Sequence, residues 1–190
     1  MPVPFPQSEG NDSVFQPATQ EPEIEFAENF TKLQGKFSFC INEAELADQL
    51  NQLMAARKWD KVYCRETAVK EMLAAAGFGI TYSNDLINCD ASITTCEALV
   101  ARTGSIVMSS AQQSGRTTSV YAPVHICIAY TSQLKYDIKD GLLHVKNKYE
   151  KLPSIITLAT GPSRTADIEK TLVVGVHGPK EVFCFLVDKA

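Results

Sequence analysis

An α/β sandwich built on a mostly parallel sheet is the fold class that this 190-residue sequence predicts. Three observations carry it. Helical periods of apolar residues alternate along the chain with short β-branched and aromatic runs. One such run, VHICIAY (124–130), is apolar at nearly every position, as a strand covered on both faces must be. Gly77 and Pro153 stand where helical periods stop.

Residues 1–25 hold five of the nine prolines among Gln, Ser, Asn and Glu. Such a segment buries too little apolar surface to offset its ordering entropy. It reads as a disordered or loosely docked arm, followed by a single domain over 26–190. KFSFCI (36–41) has strand chemistry, and Asn42 with Glu45 three residues on is a helix-capping signal. Leu46, Leu50, Leu53 and Met54 then share one helical face. KVYC (61–64) is a short strand, and Val69, Met72, Leu73 and Ala76 mark the next helix. ASITT (91–95) and EALVA (97–101) lead through Arg102-Thr103-Gly104 to SIVMSS (105–110), a hairpin or bulged ribbon. Leu134, Ile138, Leu142, Val145 and Tyr149 keep helical spacing over about four turns and predict the strongest helix. SIITLAT (154–160) reads as another buried strand, and VFCFLVD (182–188) as the last.

Composition narrows the function classes. A net charge of -4, with no Lys/Arg run longer than two, speaks against a nucleic-acid role. The first residues lack a basic region followed by an apolar core, and no apolar run approaches the roughly 20 residues of a membrane span. A cytoplasmic protein is the expectation. The six cysteines form no C-x-x-C pair, so no metal site and no cluster ligand set is spelled out. They read as reduced, buried small hydrophobes, with Cys89 and Cys96 open as a redox pair.

The densest polar chemistry lies in TGPSRTADIEKTLVVGVHGPK (160–180). Ligands of parallel α/β sheets bind beyond the carboxyl ends of the strands, which would place Gly161 to Thr165 on that rim. Ser163 or Thr165 would cap whatever follows and leave N–H groups facing outwards, and Arg164 would hold a carboxylate or phosphate. Asp167 and Glu169 would repel that anion unless tied to Arg164 or a backbone N–H. The same stretch also reads as a plain turn with a capped helix start. His177 and Lys180, set between Gly-Pro pairs, fit an acid/base with an electrostatic partner and equally fit a hairpin turn. In a catalytic version His177 is the acid/base, and Arg164 and Lys180 are the anion anchors. Ser163 and Thr165 add hydroxyls, and Thr103, Gly104 and Ser105 form the opposite wall. His125 reads as a satisfied core histidine and His144 as a surface one. No nucleotide P-loop, dinucleotide fingerprint, nucleophile elbow or zincin motif is present.

Three blocks resemble the LUD-domain family of lactate-utilisation protein C-like chains. They are Ala101-Arg102-Thr103-Gly104-Ser105, the Pro123-Val124-His125 strand entry, and Gly161 to Glu169 with Gly175 to Lys180. The family pattern has Ala-Glu-Thr-Gly-Thr where this chain has Arg102, and a Glu97–Arg102 pair would compensate. The resemblance implies a NagB/RpiA/CoA-transferase-like fold, a Rossmann-like three-layer sandwich. It also implies an accessory part in oxidising L-lactate to pyruvate, with iron–sulfur clusters carried only by partner proteins. The ligand expected from the residues of 160–180 is a small carboxylate or phosphate. The alternative is a stand-alone enzyme on a phosphorylated sugar or acyl-CoA-like substrate.

Overall fold

The computed structural model describes residues 17, 18, 20–166 and 172–188. Helix α1 (Pro22–Lys32) precedes strand β1 (Lys36–Cys40), α2 (Glu43–Arg57), β2 (Val62–Cys64), α3 (Thr67–Ala75), β3 (Tyr82–Ser83) and β4 (Ala91–Thr95). Next come β5 (Ala98–Val100), β6 (Ser105–Ser109), the short helix α4 (Thr118–Tyr121), β7 (Val124–Tyr130), β8 (Leu134–Lys135) and α5 (Ile138–Lys148). Strands β9 (Ile156–Ala159), β10 (Arg164–Ala166), β11 (Leu172–Val174) and β12 (Glu181–Val187) complete the order.

The central sheet has six strands in the order β1-β12-β7-β4-β2-β3, and every pairing in it is parallel. The predicted α/β class with a mostly parallel sheet is therefore what forms. VHICIAY is its centre: β7 pairs β12 on one side and β4 on the other, and residues 124–129 are buried. Helices α2 and α3 cover one face through Leu46, Leu50, Val69 and Leu73. Asn42 caps α2 by accepting a hydrogen bond from Glu45 N–H at 2.9 Å, while Glu45 reaches back to accept from Ile41 N–H at 2.8 Å. The cap thus ties the helix to the strand before it.

The opposite face is covered by α1 and by a second sheet of order β8-β5-β6-β9. Phe26 and Phe30 of α1 stack at 5.4 Å and meet Leu99, Ile106 and Leu186 in one core. Helix α1 starts at Pro22, four residues before the expected domain start, with the proline at its first turn where no intrahelical N–H is needed. The rest of the predicted arm lies for the most part outside the described residues.

Two element readings need correction. Residues 154–160 are not a buried strand of the main sheet: β9 is a half-exposed strand at the edge of the second sheet, antiparallel to β6. The predicted helix from Leu134 begins instead at Ile138. Leu134 and Lys135 pair in parallel with Leu99 and Val100, and Asp137 caps the helix by accepting from Lys139 N–H while Asp140 accepts from Asp137 N–H. Helical spacing alone could not register that a strand partner waits for Leu134. All six cysteines are free and buried. The Cys127 thiol hydrogen-bonds with both Cys184 and Cys96; this and burial push the Cys96 thiol well up, away from the reactive thiolate.

Candidate functional site

The described parts of the stretch 160–180, residues 160–166 and 172–180, form a turn, two paired strands and a second turn. Gly161 has φ +120°, and a side chain there would stand 2.4 Å from Leu33 O, so only glycine lets this turn pack under the end of α1. Residues 164–166 form β10, antiparallel to β11, with Arg164 opposite Val174 and Thr165 opposite Val173. The expected turn with a capped helix start at Ser163 or Thr165 is not met: residues 164–166 are a strand, and the described residues place no helix N-terminus there. Asp167 and Glu169 lie outside the described residues.

The two ends of the stretch do meet. Ser163 N–H donates to Pro179 O, and Gly175 N–H donates to Ser163 O, both at 2.9 Å. Gly178 packs directly on Ser163; a side chain added at Gly178 would stand 2.9 Å from Ser163 Cβ. The second turn is anchored to the sheet by Lys180 N–H, which donates to Pro123 O at 2.8 Å. Gly175, at φ +80°, leaves the room that the Lys180 side chain occupies: a Cβ there would be 2.3 Å from Lys180 Cγ.

This turn forms one wall of a cleft of about 730 Å³. His177 and Lys180 face it from the turn, Arg116 and Tyr121 from the segment that includes α4, and Ile87 and Val176 add apolar surface. Arg116 is held in place by donating from Nη2 to Ser154 Oγ at 2.5 Å. The loops that line the cleft precede β4, β7 and β12, so the cleft lies at the amino edge of the parallel sheet, not at the carboxyl rim expected from the sequence. The reason is β9: the strand thought to carry Gly161 onto the carboxyl rim belongs to the other sheet.

The carboxyl rim has a different character. Glu66 there accepts from Thr95 N–H at 2.9 Å and from Thr95 Oγ1 at 2.5 Å. Tyr130 donates its hydroxyl to Glu43 at 2.7 Å beside Asp188; burial and that acceptor push the phenol up. Glu66 is buried and satisfied, so the acids that face solvent there are Glu43 and Asp188, and they disfavour a carboxylate beside them. The cationic cleft is the one suited to an anion.

Thr103, Gly104 and Ser105 do not line the cleft. They dock α1. Asn29 Nδ2 donates to Ala101 O and Arg102 O at 3.0 and 3.1 Å, and Gly104, at φ +60°, has Phe30 N where a Cβ would stand. Thr103 Oγ1 and Ser105 Oγ bond each other at 2.6 Å. Arg164, Thr165 and Ser163 also lie outside the cleft lining, with Arg164 and Thr165 on β10 and Ser163 just before it. Arg102 pairs with Asp137 (Nε to Oδ2, 2.6 Å), not with Glu97. Glu97 is fully buried and accepts from Lys148 Nζ (2.7 Å), Ser109 Oγ (2.6 Å) and Tyr149 hydroxyl (2.8 Å). Burial would raise its pKa, and these donors more than offset that and hold the carboxylate below its usual range. Sequence reasoning missed Arg116 and Tyr121. The available signal was a lone arginine in the polar loop 111–119, close to the Pro123 strand entry.

Among the described residues no group of three or more His, Cys, Asp or Glu side chains is placed to hold a metal ion, and no helix is long and apolar enough to cross a membrane. His125 is buried with Nε2 2.8 Å from Thr94 Oγ1, a core histidine. His144 is half-buried on α5.

Fold and cleft together define an α/β domain on a parallel sheet with a cationic cleft at its amino edge. The chain belongs to the LUD-domain family, whose model matches residues 79–187. An uncharacterized protein of Neisseria meningitidis is 35% identical over 95 residues, 50% of this chain and 41% of its own length. Lactate utilization protein C of Geobacillus sp. is 36% identical over 101 residues, 51% of this chain and 42% of that one. The same-named protein of Anoxybacillus flavithermus is 28% identical over 162 residues, 78% and 73% of the two chains. Most of the matched segments thus span about half of this chain and less than half of the relatives. In structure, a DUF162-family protein from Deinococcus radiodurans shares the fold, with TM-score 0.67 at 18% identity over 90% of this chain and 99% of that one.

Proposed function

We propose that this LUD-domain protein is an accessory component of L-lactate utilisation, acting with iron–sulfur partner proteins in the oxidation of lactate to pyruvate. The relatives named lactate utilization protein C support the process. The observation that carries the local reading is the convergence of Arg116, His177 and Lys180 on one cleft. In it Lys180 and Arg116 bind the anionic group of a small carboxylate or phosphate, and His177 gives or takes a proton beside it. Ser163 positions His177 through its bonds to the turn, and Arg164 and Thr165 extend the cationic and hydroxyl surface along the ribbon.

Calorimetric titration with lactate, pyruvate and inorganic phosphate tests the site. Binding to one of them that weakens about tenfold or more in Lys180→Ala supports it; no heat with any of the three overturns it. Affinity purification from the native host tests the partners: co-purified iron–sulfur proteins are the expected result, and the chain alone the contrary one. A second reading, a stand-alone enzyme on a phosphorylated sugar or acyl-CoA-like substrate, is favoured by one observation. A cleft of about 730 Å³ is in the range of sites for ligands much larger than lactate. Thermal shifts with sugar phosphates and CoA thioesters, absent with lactate, would select it.

A further inference from the structure

The parallel sheet ends at β1, and among the described residues no strand pairs with its outer edge. Such an edge is a template for a further strand, and proteins usually blunt it with charge, proline or a bulge. Here its middle reads Phe37-Ser38-Phe39. Asp188 N–H donates to Cys40 O at 2.8 Å, so the even-numbered residues of β1 turn their peptide groups towards β12 and those of Phe37 and Phe39 face outwards. Gln49 Nε2 lies 3.4 Å from Phe39 O on that edge.

The side chains continue the pattern. Phe37 packs edge-on against Phe26 at 5.9 Å, whereas Phe39 is 42% exposed and Ile24 51% exposed beside it. They border an apolar groove of about 550 Å³ between α1 and β1. Charge is segregated along this edge. Glu21, Glu23 and Asp188 rim one end of the groove; at the other end Lys32 closes α1, paired with Glu28 at 3.8 Å, and Lys36 opens β1. Lys36 and Arg57 there share the single acid Glu181 and leave a net positive charge.

We propose that the outer edge of β1 is the interface between two copies of this chain, paired antiparallel about a two-fold axis through Ser38. In that register Phe37 of each copy lies opposite Phe39 of the other, and their outward peptide groups exchange hydrogen bonds in both directions. The four phenylalanines form one cluster on the α1 side and cover Phe39 and Ile24. The basic end of each edge meets the acidic end of its mate. Only antiparallel symmetry makes one segregated surface complementary to itself, which is why the occupant is a second copy.

Sedimentation equilibrium of the full chain tests this. The expected mass is twice that of the chain in the micromolar range, with weaker association at high salt because the charge pairing is exposed. Phe39→Lys raises the dissociation constant about tenfold or more at unchanged circular dichroism. Lys32→Glu weakens the dimer, and adding Glu23→Lys to it restores the association. A single-chain mass at hundreds of micromolar overturns the proposal, as does a dimer indifferent to both Phe39→Lys and Lys32→Glu.

Discussion

Glu97 and Lys148 meet at 2.7 Å across 51 positions of sequence, the carboxylate fully buried and the ammonium 48% exposed. The pair ties α5 to the strand junction between the two sheets, with Ser109 and Tyr149 filling the remaining carboxylate valences. Removing Lys148 leaves a buried charge with neutral donors alone. Lys148→Met is expected to destabilise the fold by about 2 kcal/mol, and Glu97→Gln combined with it to recover much of that loss. Urea unfolding of the two single variants and the double variant measures the coupling.

Stability should fall on acidification through His125. Its pKa is lowered to about 4 by burial, against 6.5 for an unhindered imidazole. Between those values the unfolded chain binds a proton that the folded one does not, so unfolding free energy rises with pH across that window. Lowering the pH from 6.5 to 4 is expected to cost up to about 3 kcal/mol from this group. Melting temperatures over that range should lose part of their slope in His125→Gln, and an unchanged slope would contradict the assignment.

Gly175 makes the room in which Lys180 lies. Gly175→Ala meets both the φ of +80° and the Lys180 side chain, so the turn must shift. The expected result is about tenfold weaker anion binding in the cleft, with a loss in stability of about 1 kcal/mol or somewhat more. Calorimetric titration with phosphate and a thermal melt on the same sample separate the two effects.

Asn42 holds the first turn of α2 through Glu45 N–H. Asn42→Ala is expected to cost about 1 kcal/mol, and Asn42→Asp to cost little, since the acceptor is kept beside the positive helix end. Chemical denaturation of the two variants checks the order.

Much of the fold was legible because its signals are local. The Asn42 cap, the apolar faces of α2 and α3 and the apolar length of β7 depend on residues a few positions apart, and each forms where the sequence predicted. The family blocks were legible as strings, but their roles were not. Ala101 to Ser105 looks like a wall of a site, yet Gly104 is there because the backbone of Phe30 fills the space a side chain would need.

By itself the sequence determined an α/β chain with a central apolar strand, buried cysteines, a core histidine at 125 and polar turns at two Gly-Pro pairs. Only the tertiary structure decided which sheet each strand joined. Residues 156–159 and 182–187 are both apolar runs, but one pairs with β6 at an exposed edge and the other with β1 and β7 in the core. Strand pairing is set by partners far along the chain, whose register no local period encodes. The location of the cleft followed from that choice, since assigning β9 to the second sheet left the His177 turn and Arg116 together at the amino edge.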